Sequence, residues 1–597
     1  MGREKYAGKG SAGAAEGVTL SGKPTVCGRH SGESAVSGGA EGAMAARMCG
    51  QISQAKGRKS NERFAEWLFH SAFFLARNED EGGIIMNDLL ASVANVNDAV
   101  NGVVWGVPAL ALLAFVGVLM TVLTKVFQVT HFGHWMKKTI GAVFKDKHVT
   151  SHTRDKSISQ FQSLCTALAA TVGTGNIVGV AGAILVGGPG AVFWMWIMAF
   201  LGMMTNYSEN VLGIFYRRRN AGGEWSGGAM YYLRDGLGAK KGCRVIGKVL
   251  AVLFAVFCLI ASFGIGNMTQ VNSISGNMDA VFGVPTWVTG LVITVLVGLV
   301  VVGGLKRIAA VTEKIVPFMV ILYMIGTVAI FFINITHVGA VFTAIFRGAF
   351  ATEAAAGGIV GYGIKLAIEQ GMKRGVFSNE AGLGSSVMVH SNSNTHEPVR
   401  QGMWGIFEVF ADTIVVCTLT AFAVLSSGLI NLETGKLISD TFTTQAGATI
   451  TLSKANLVSA VFNQQFGFAG SAFIAVSIML FAFSTVLGWS HYGTKACEYL
   501  FGEKRTIPYR VIFVLLVFGG AVMGDNLAWD LADTFNGLMM IPNLIGVIAL
   551  SGTVMKITKN YVDRRIRGRK EVEPLLSAFP EIQAEQEAAL SAGESDD

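Results

Sequence analysis

Charge is scarce in this chain of 597 residues: 15% are Asp, Glu, Lys or Arg, against 51% apolar. That imbalance excludes a large soluble core and, with 10 prolines against 74 glycines, fits a polytopic helical membrane protein. Cysteine is sparse and scattered. Cys27, Cys49, Cys165, Cys243, Cys258, Cys417 and Cys497 form no CxxC and no close Cys/His grouping, which argues against a disulfide frame and a zinc site. No HExxH, GxSxG or P-loop occurs, nine of the ten histidines lie in loops or the leader, and His491 sits near a span end, so an integral-membrane enzyme lacks its chemistry. A channel lacks a ring-forming filter motif and a pore-lining charge row. The net charge of +7 does not imply nucleic acid, because the basic residues cluster in loops between apolar spans.

What the chain does have is long apolar runs. Crossing a hydrocarbon core takes about 20 residues, and such stretches begin near Val103, Ser159, Ala191, Lys248, Thr286, Ile308, Val338, Gly402, Phe468, Ile507 and Leu531, eleven in all. The connections alternate in charge. Lys137, Lys138, Lys145, Lys147, Arg154 and Lys156 follow the first span, and Arg217, Arg218, Arg219, Arg234, Lys240, Lys241 and Arg244 follow the third. Lys306 and Arg307, Lys373 and Arg374, Lys504, Arg505 and Arg510, and Arg564, Arg565, Arg567 and Arg569 follow the fifth, seventh, ninth and last, while the even connections are nearly bare. The first span is therefore expected to start outside and the C-terminus to lie in the cytoplasm. Residues 1–85 carry many Lys and Arg that this topology would have to translocate, so they read as a disordered extension or a misassigned start, with Met86 the natural beginning. The expected plan is 86–157 as first span and basic loop, 158–337 and 338–556 as two five-helix units, and 557–597 as a solvated cytoplasmic tail.

Two similar stretches interrupt this pattern, Gly175-Asn176-Ile177-Val178-Gly179 and Gly357-Gly358-Ile359-Val360-Gly361. Each falls in the first span of a set of five. An odd repeat forces inversion, and paired interruptions in corresponding places of two halves point to a transporter's binding site. Loosened backbone at mid-depth is tolerated only inside protein or beside a cavity. The run Gly173-Thr174-Gly175-Asn176-Ile177-Val178-Gly179 misses GxGxxG by one residue and follows no strand, so it is no dinucleotide fingerprint. Helix packing through Gly175 and Gly179 is the plainer alternative, but Asn176 is out of place on a packing face. A half-helix beginning near Gly173 presents about half a positive charge, suited to a carboxylate. Carbonyls freed near residues 356–361, Gly357 and Gly358 among them, suit an ammonium group or a cation.

Other polar residues in spans are few. Ser484 and Thr485 either back-bond to the preceding turn or offer hydroxyls to a sodium ion, and Trp489 either closes a pocket or anchors at an interface. Glu209, Glu408, Asp412 and Asp533 are ionisable within spans and therefore functional candidates. Gln270, in the polar stretch Gly266-Asn267-Met268-Thr269-Gln270-Val271-Asn272, is a better candidate ligand.

Three motifs carry a resemblance. Gly187-Gly188-Pro189-Gly190-Ala191-Val192-Phe193-Trp194-Met195-Trp196-Ile197-Met198-Ala199-Phe200-Leu201-Gly202 resembles the signature of the alanine or glycine:cation symporters, the sodium:alanine symporter family. Thr171-Val172-Gly173-Thr174-Gly175-Asn176 and Arg374-Gly375-Val376-Phe377-Ser378-Asn379-Glu380-Ala381-Gly382-Leu383-Gly384-Ser385 are similar to stretches typical of it. The resemblance runs from about Met86 to about Lys570. It implies an all-α, leucine-transporter-like five-plus-five inverted repeat preceded by one extra helix, in a bacterial inner (plasma) membrane. It implies uptake of alanine or glycine with sodium as the co-transported cation and no cofactor; the partners expected are the amino acid, the sodium ion and the lipid bilayer, with no nucleic acid. By position, Gly173, Thr174, Gly175 and Asn176 with Gln270, Thr485 and Trp489 would line the substrate site. Backbone oxygens of Ala169 and Val172, with Ser484 and Thr485, would hold the sodium ion. Trp194 and Trp196 read as packing, and residues 377–386, after Lys373 and Arg374, as a cytoplasmic gate or fold element. A proton-coupled amino-acid carrier is the alternative.

Overall fold

The computed structural model describes residues 82–152, 156–350, 359–523 and 525–591. Contacts divide the chain into Met1–Asp88 and Leu89–Asp597; the first helix begins before that boundary, and every contact described below lies within the second. After α1 (Gly82–Val104), helix α2 (Val107–Leu123) starts with Pro108 in its first turn, where a missing N–H costs nothing. The next span comes in two pieces, α3 (Gln160–Thr171) and α4 (Val178–Gly187). Ser159 opens α3 through a capping box with Gln162. Then come α5 (Gly190–Phe215), α6 (Arg244–Phe282), α7 (Thr286–Val301) and α8 (Gly304–Ile333). The second half holds α9 (Val338–Phe350), α10 (Ile359–Asn379), α11 (Val387–His390), α12 (Pro398–Leu425), α13 (Leu457–Phe466), α14 (Phe468–Phe501), α15 (Thr506–Val522), α16 (Asp525–Tyr561) and α17 (Pro580–Ser591).

Seven described helices are long and apolar enough to cross a membrane: those containing α2, α6, α8, α12, α14, α15 and α16. The remaining four of the eleven have physical reasons to fall short. The α3–α4 and α10–α11 segments are interrupted, α7 has 16 residues, and α5 carries Thr205, Asn206, Ser208, Glu209 and Asn210 in its second half.

The inverted repeat is visible in how the two interrupted segments pass each other. Gly187, ending α4, lies against Leu366 and Gln370; Gly175 lies against Phe377 and Ser378; Ile158, just before α3, bridges Ser393 beyond α11. The two segments therefore run antiparallel with their breaks side by side, as a two-fold axis in the membrane plane requires.

Gly357 and Gly358 are outside the described residues, and the interruption that meets residues 172–177 is residues 380–386. Glu380, Gly382 and Gly384 there have φ of 55°, 93° and 70°, left-handed backbone that ends a right-handed helix. Lys373 and Arg374 sit inside α10 rather than in a connection, and residues 377–386 after them are buried. The span expected from Val338 is two elements: α9 packs Phe346 and Phe350 on Phe193 where α5 begins, and Phe342 on Phe422 where α12 ends. Trp194 and Trp196 are packing residues here, Trp196 donating to Thr418 Oγ1 at 2.8 Å. The tail is not simply solvated either. Leu576 is buried, the Ala578 N–H donates to the Phe215 carbonyl at 2.9 Å, and the Arg218 guanidinium lies 4.2 Å from the Phe579 ring centre.

Candidate functional site: two facing helix breaks

At the first break α3 ends at Thr171, and residues Thr174–Asn176 make one tight turn before α4. Gly173 is extended, at φ −128° and ψ −153°, so its need for glycine is spatial rather than conformational. A Cβ there would stand 2.5 Å from Thr485 Oγ1 and 3.5 Å from Gln270 Oε1. Asn176 spans the break in both directions. Its Oδ1 accepts from the Gly173 N–H at 2.9 Å, and its Nδ2 donates to Asp412 Oδ1 at 2.7 Å. Thr174 Oγ1 donates to Gln270 Oε1 at 3.0 Å, and Gln270 Nε2 donates to the Ile265 carbonyl at 3.0 Å.

Two widened helical turns supply these partners. Residues Gly264–Met268 within α6, and Phe410–Cys417 within α12, are π-helical, a distortion that recurs at functional sites. The second presents Asp412. Its carboxylate accepts from Asn176, from Ser378 Oγ at 2.7 Å and from Thr413 Oγ1 at 2.7 Å, while Asn379 Nδ2 donates to Thr413 Oγ1 at 3.0 Å. One carboxylate thus ties the first break to the start of the second.

On the other side, Glu380 accepts from Trp489 Nε1 at 2.9 Å and from Ser385 Oγ at 2.5 Å. Trp489 is 1% exposed, so it is not an interfacial anchor. Ser484 and Thr485 both back-bond to the Phe481 carbonyl, at 2.8 and 3.0 Å. Ser484 Oγ also stands 3.4 Å from the Ala169 carbonyl, and Val172 is buried at the end of α3. Hydroxyl and carbonyl oxygens of this kind suit a hard monovalent cation without a carboxylate. Gly173, Thr174, Asn176, Gln270 and Thr485 are therefore contiguous, with Gly175 against Phe377 and Trp489 linked to the second break.

Not every ionisable candidate converges. Asp533 of α16 lies apart, its carboxylate 2.8 Å from Lys373 Nζ and 3.9 Å from Arg374, and its carbonyl accepting from Trp105. Glu209 is held by Asn543, which also donates to the Gly382 carbonyl at 2.9 Å. Sequence reasoning missed Ser378, Asn379 and Glu380 as neighbours of the break. The signal was present: a polar Ser-Asn-Glu followed by glycines, inside an otherwise apolar fold.

The sodium:alanine symporter family model matches residues 90–574. The chain is 42% identical over 468 residues to the sodium/alanine symporter AgcS of Methanococcus maripaludis, covering 78% of this chain and 97% of that one. It is 36% identical to the probable sodium/glutamine symporter GlnT of Bacillus subtilis, covering 79% and 91%. It is 34% identical to the putative sodium/proton-dependent alanine carrier YrbD of the same organism, covering 81% and 94%. With two antiparallel broken helices at its centre and the family matched across nearly the whole bundle, this chain belongs to the sodium:alanine symporter family, a multi-pass membrane transporter that moves an amino acid with a cation and is not an enzyme.

Proposed function

We propose that this chain takes up a small neutral amino acid, alanine or glycine, with sodium by alternating access. The observation that carries the reading is the contact of Thr485 and Gln270 with bare backbone at Gly173, one turn from Ala169 and Ser484. The N-terminal end of α4 carries about half a positive charge, which favours the substrate carboxylate; the oxygens of Ala169, Val172, Ser484 and Thr485 take the sodium ion. By the charge rule, the Arg217 and Arg564 ends face the cytoplasm of a bacterial cell.

Uptake into proteoliposomes with a panel of small amino acids tests this. Replacing external sodium by choline at constant pH should abolish uptake; persistence would favour the proton-coupled alternative. A neutral zwitterion moving with one sodium ion carries positive charge inward, so uptake should rise with an inside-negative potential. A tenfold sodium gradient supplies about 1.4 kcal/mol and 100 mV about 2.3 kcal/mol, together enough for accumulation of several hundredfold. Indifference to potential would sink the one-sodium stoichiometry.

Thr485→Ala should chiefly raise the sodium concentration for half-maximal uptake, because it removes one oxygen from a site made of several. Thr485→Ser should be milder. An unchanged sodium dependence in Thr485→Ala would leave Thr485 as an ordinary back-bonded helix residue.

A further inference from the structure

A second buried polar cluster lies beyond the breaks, toward the end closed by Arg217. His390, the last residue of α11, and Glu408 of α12 are both 0% exposed, with Nε2 3.0 Å from Oε2. Asn206 Nδ2 also reaches Glu408 Oε2, at 3.3 Å, while Glu408 Oε1 has no hydrogen-bond partner. At the other ring nitrogen, Nδ1, stand Gln401 Nε2 at 2.5 Å and Ser163 Oγ at 3.4 Å, and Gln401 Oε1 accepts from Ser393 Oγ at 2.9 Å. This arrangement serves two protonation states. As drawn, the Gln401 amide donates to a neutral imidazole; turned over, its oxygen accepts from an imidazolium, and the Ser393 and Ser163 hydroxyls follow by rotating.

Acidic side chains surround the pair. Glu209 of α5, Glu380 of the second break, Asp412 of α12 and Tyr492 of α14 all lie within electrostatic range of Glu408. The nearby cations are engaged elsewhere. Arg217 holds the carbonyls of Ser391, Ser393 and Thr395, Lys495 of α14 holds Trp225, Ser226 and Glu498, and Arg400 of α12 holds Gln160 and Asp146. His491 of α14 faces the Met388 backbone rather than the pair. A net negative pair in a dry interior costs several kcal/mol, and one more proton, on Glu408 Oε1 or His390 Nδ1, removes that charge.

We propose that the His390–Glu408 pair is a proton-binding site of the transport cycle. It takes up one proton from the solution on the Arg217 side as that end closes and returns it to the same side on opening. Ser391, adjacent to His390, is among the carbonyls that Arg217 ties down, and Ser393 bridges Ile158; release of that latch and hydration of the pair are one event. No net proton transport results, so the sodium-coupled reading on which this rests is kept.

The test is alanine exchange in vesicles of defined orientation, with saturating sodium on both sides and the pH of each side set independently between about 6 and 9. Exchange should fall as pH rises on the Arg217 side, by up to about tenfold per unit, the limit for one proton, and be indifferent to pH on the opposite side. His390→Gln and Glu408→Gln should flatten that profile while keeping the sodium requirement. His134, half-buried at the same end, is pushed down to about 4 by burial and then by Lys138, so it stays neutral throughout. Wild-type exchange that is flat on the Arg217 side, equal response to both sides, or an unaltered profile in either variant would overturn the proposal. Exchange without sodium would instead overturn the coupling ion.

Discussion

Gly173→Ala abolishes uptake, or comes close to it. The added methyl carbon would stand 2.5 Å from Thr485 Oγ1, inside the separation any real Cβ tolerates, and Thr485 is a short, buried side chain that cannot swing clear. Overpacking of this kind costs about 1–3 kcal/mol, which as lost affinity is about 5–150-fold. Gly175→Leu should be inactive for a related reason, since its first carbon already meets the Phe377 ring at 3.3 Å. The informative control is Gly173→Ala combined with Thr485→Ala: the double variant should recover part of the substrate affinity while keeping a raised sodium requirement. Uptake assays normalised to surface expression decide it. Wild-type affinity in Gly173→Ala would show that substrate does not approach this backbone.

Asp412→Ala has the other large effect, and on two readouts. Its carboxylate is the common acceptor for Asn176, Ser378 and Thr413; deleting it leaves Asn176 and Ser378 only longer contacts of 3.3–3.4 Å to Cys417 Sγ and the Asp412 carbonyl, and a buried donor that loses its acceptor costs about 1–3 kcal/mol. The thermal midpoint of the purified protein should fall markedly and uptake should be lost, because the two breaks are no longer joined. Asp412→Asn keeps an acceptor oxygen of the same shape and should fall between the two. If Asp412→Ala melts and transports like the wild type, the carboxylate is neither a structural tie nor part of the site.

The membrane class, the odd repeat and the first break were legible from Met86 onward because they rest on local properties. Apolar length, loop charge and a glycine-rich turn with one anomalous Asn176 are all readable in a window of about 20 residues. The second break was not legible in the same way. Likeness to the first stretch drew attention to Gly357 and Gly358, which lie outside the described residues, whereas the described interruption beside the first break is made by Glu380, Gly382 and Gly384 in left-handed backbone.

Lys373 and Arg374 misled for a related reason. A basic pair beside an apolar run reads as a loop, yet here it is inside α10, where Lys373 is neutralised by Asp533 of α16, 160 positions along. Long-range pairings of this sort decided everything at the centre. Asn176 with Asp412 and Trp489 with Glu380 join residues that share no window of sequence. The sequence by itself determined that the chain spans a membrane and breaks a helix at Gly173. Which polar groups meet there was left to the tertiary structure, because a buried donor or acceptor is satisfied by whatever the packed bundle brings within about 3 Å.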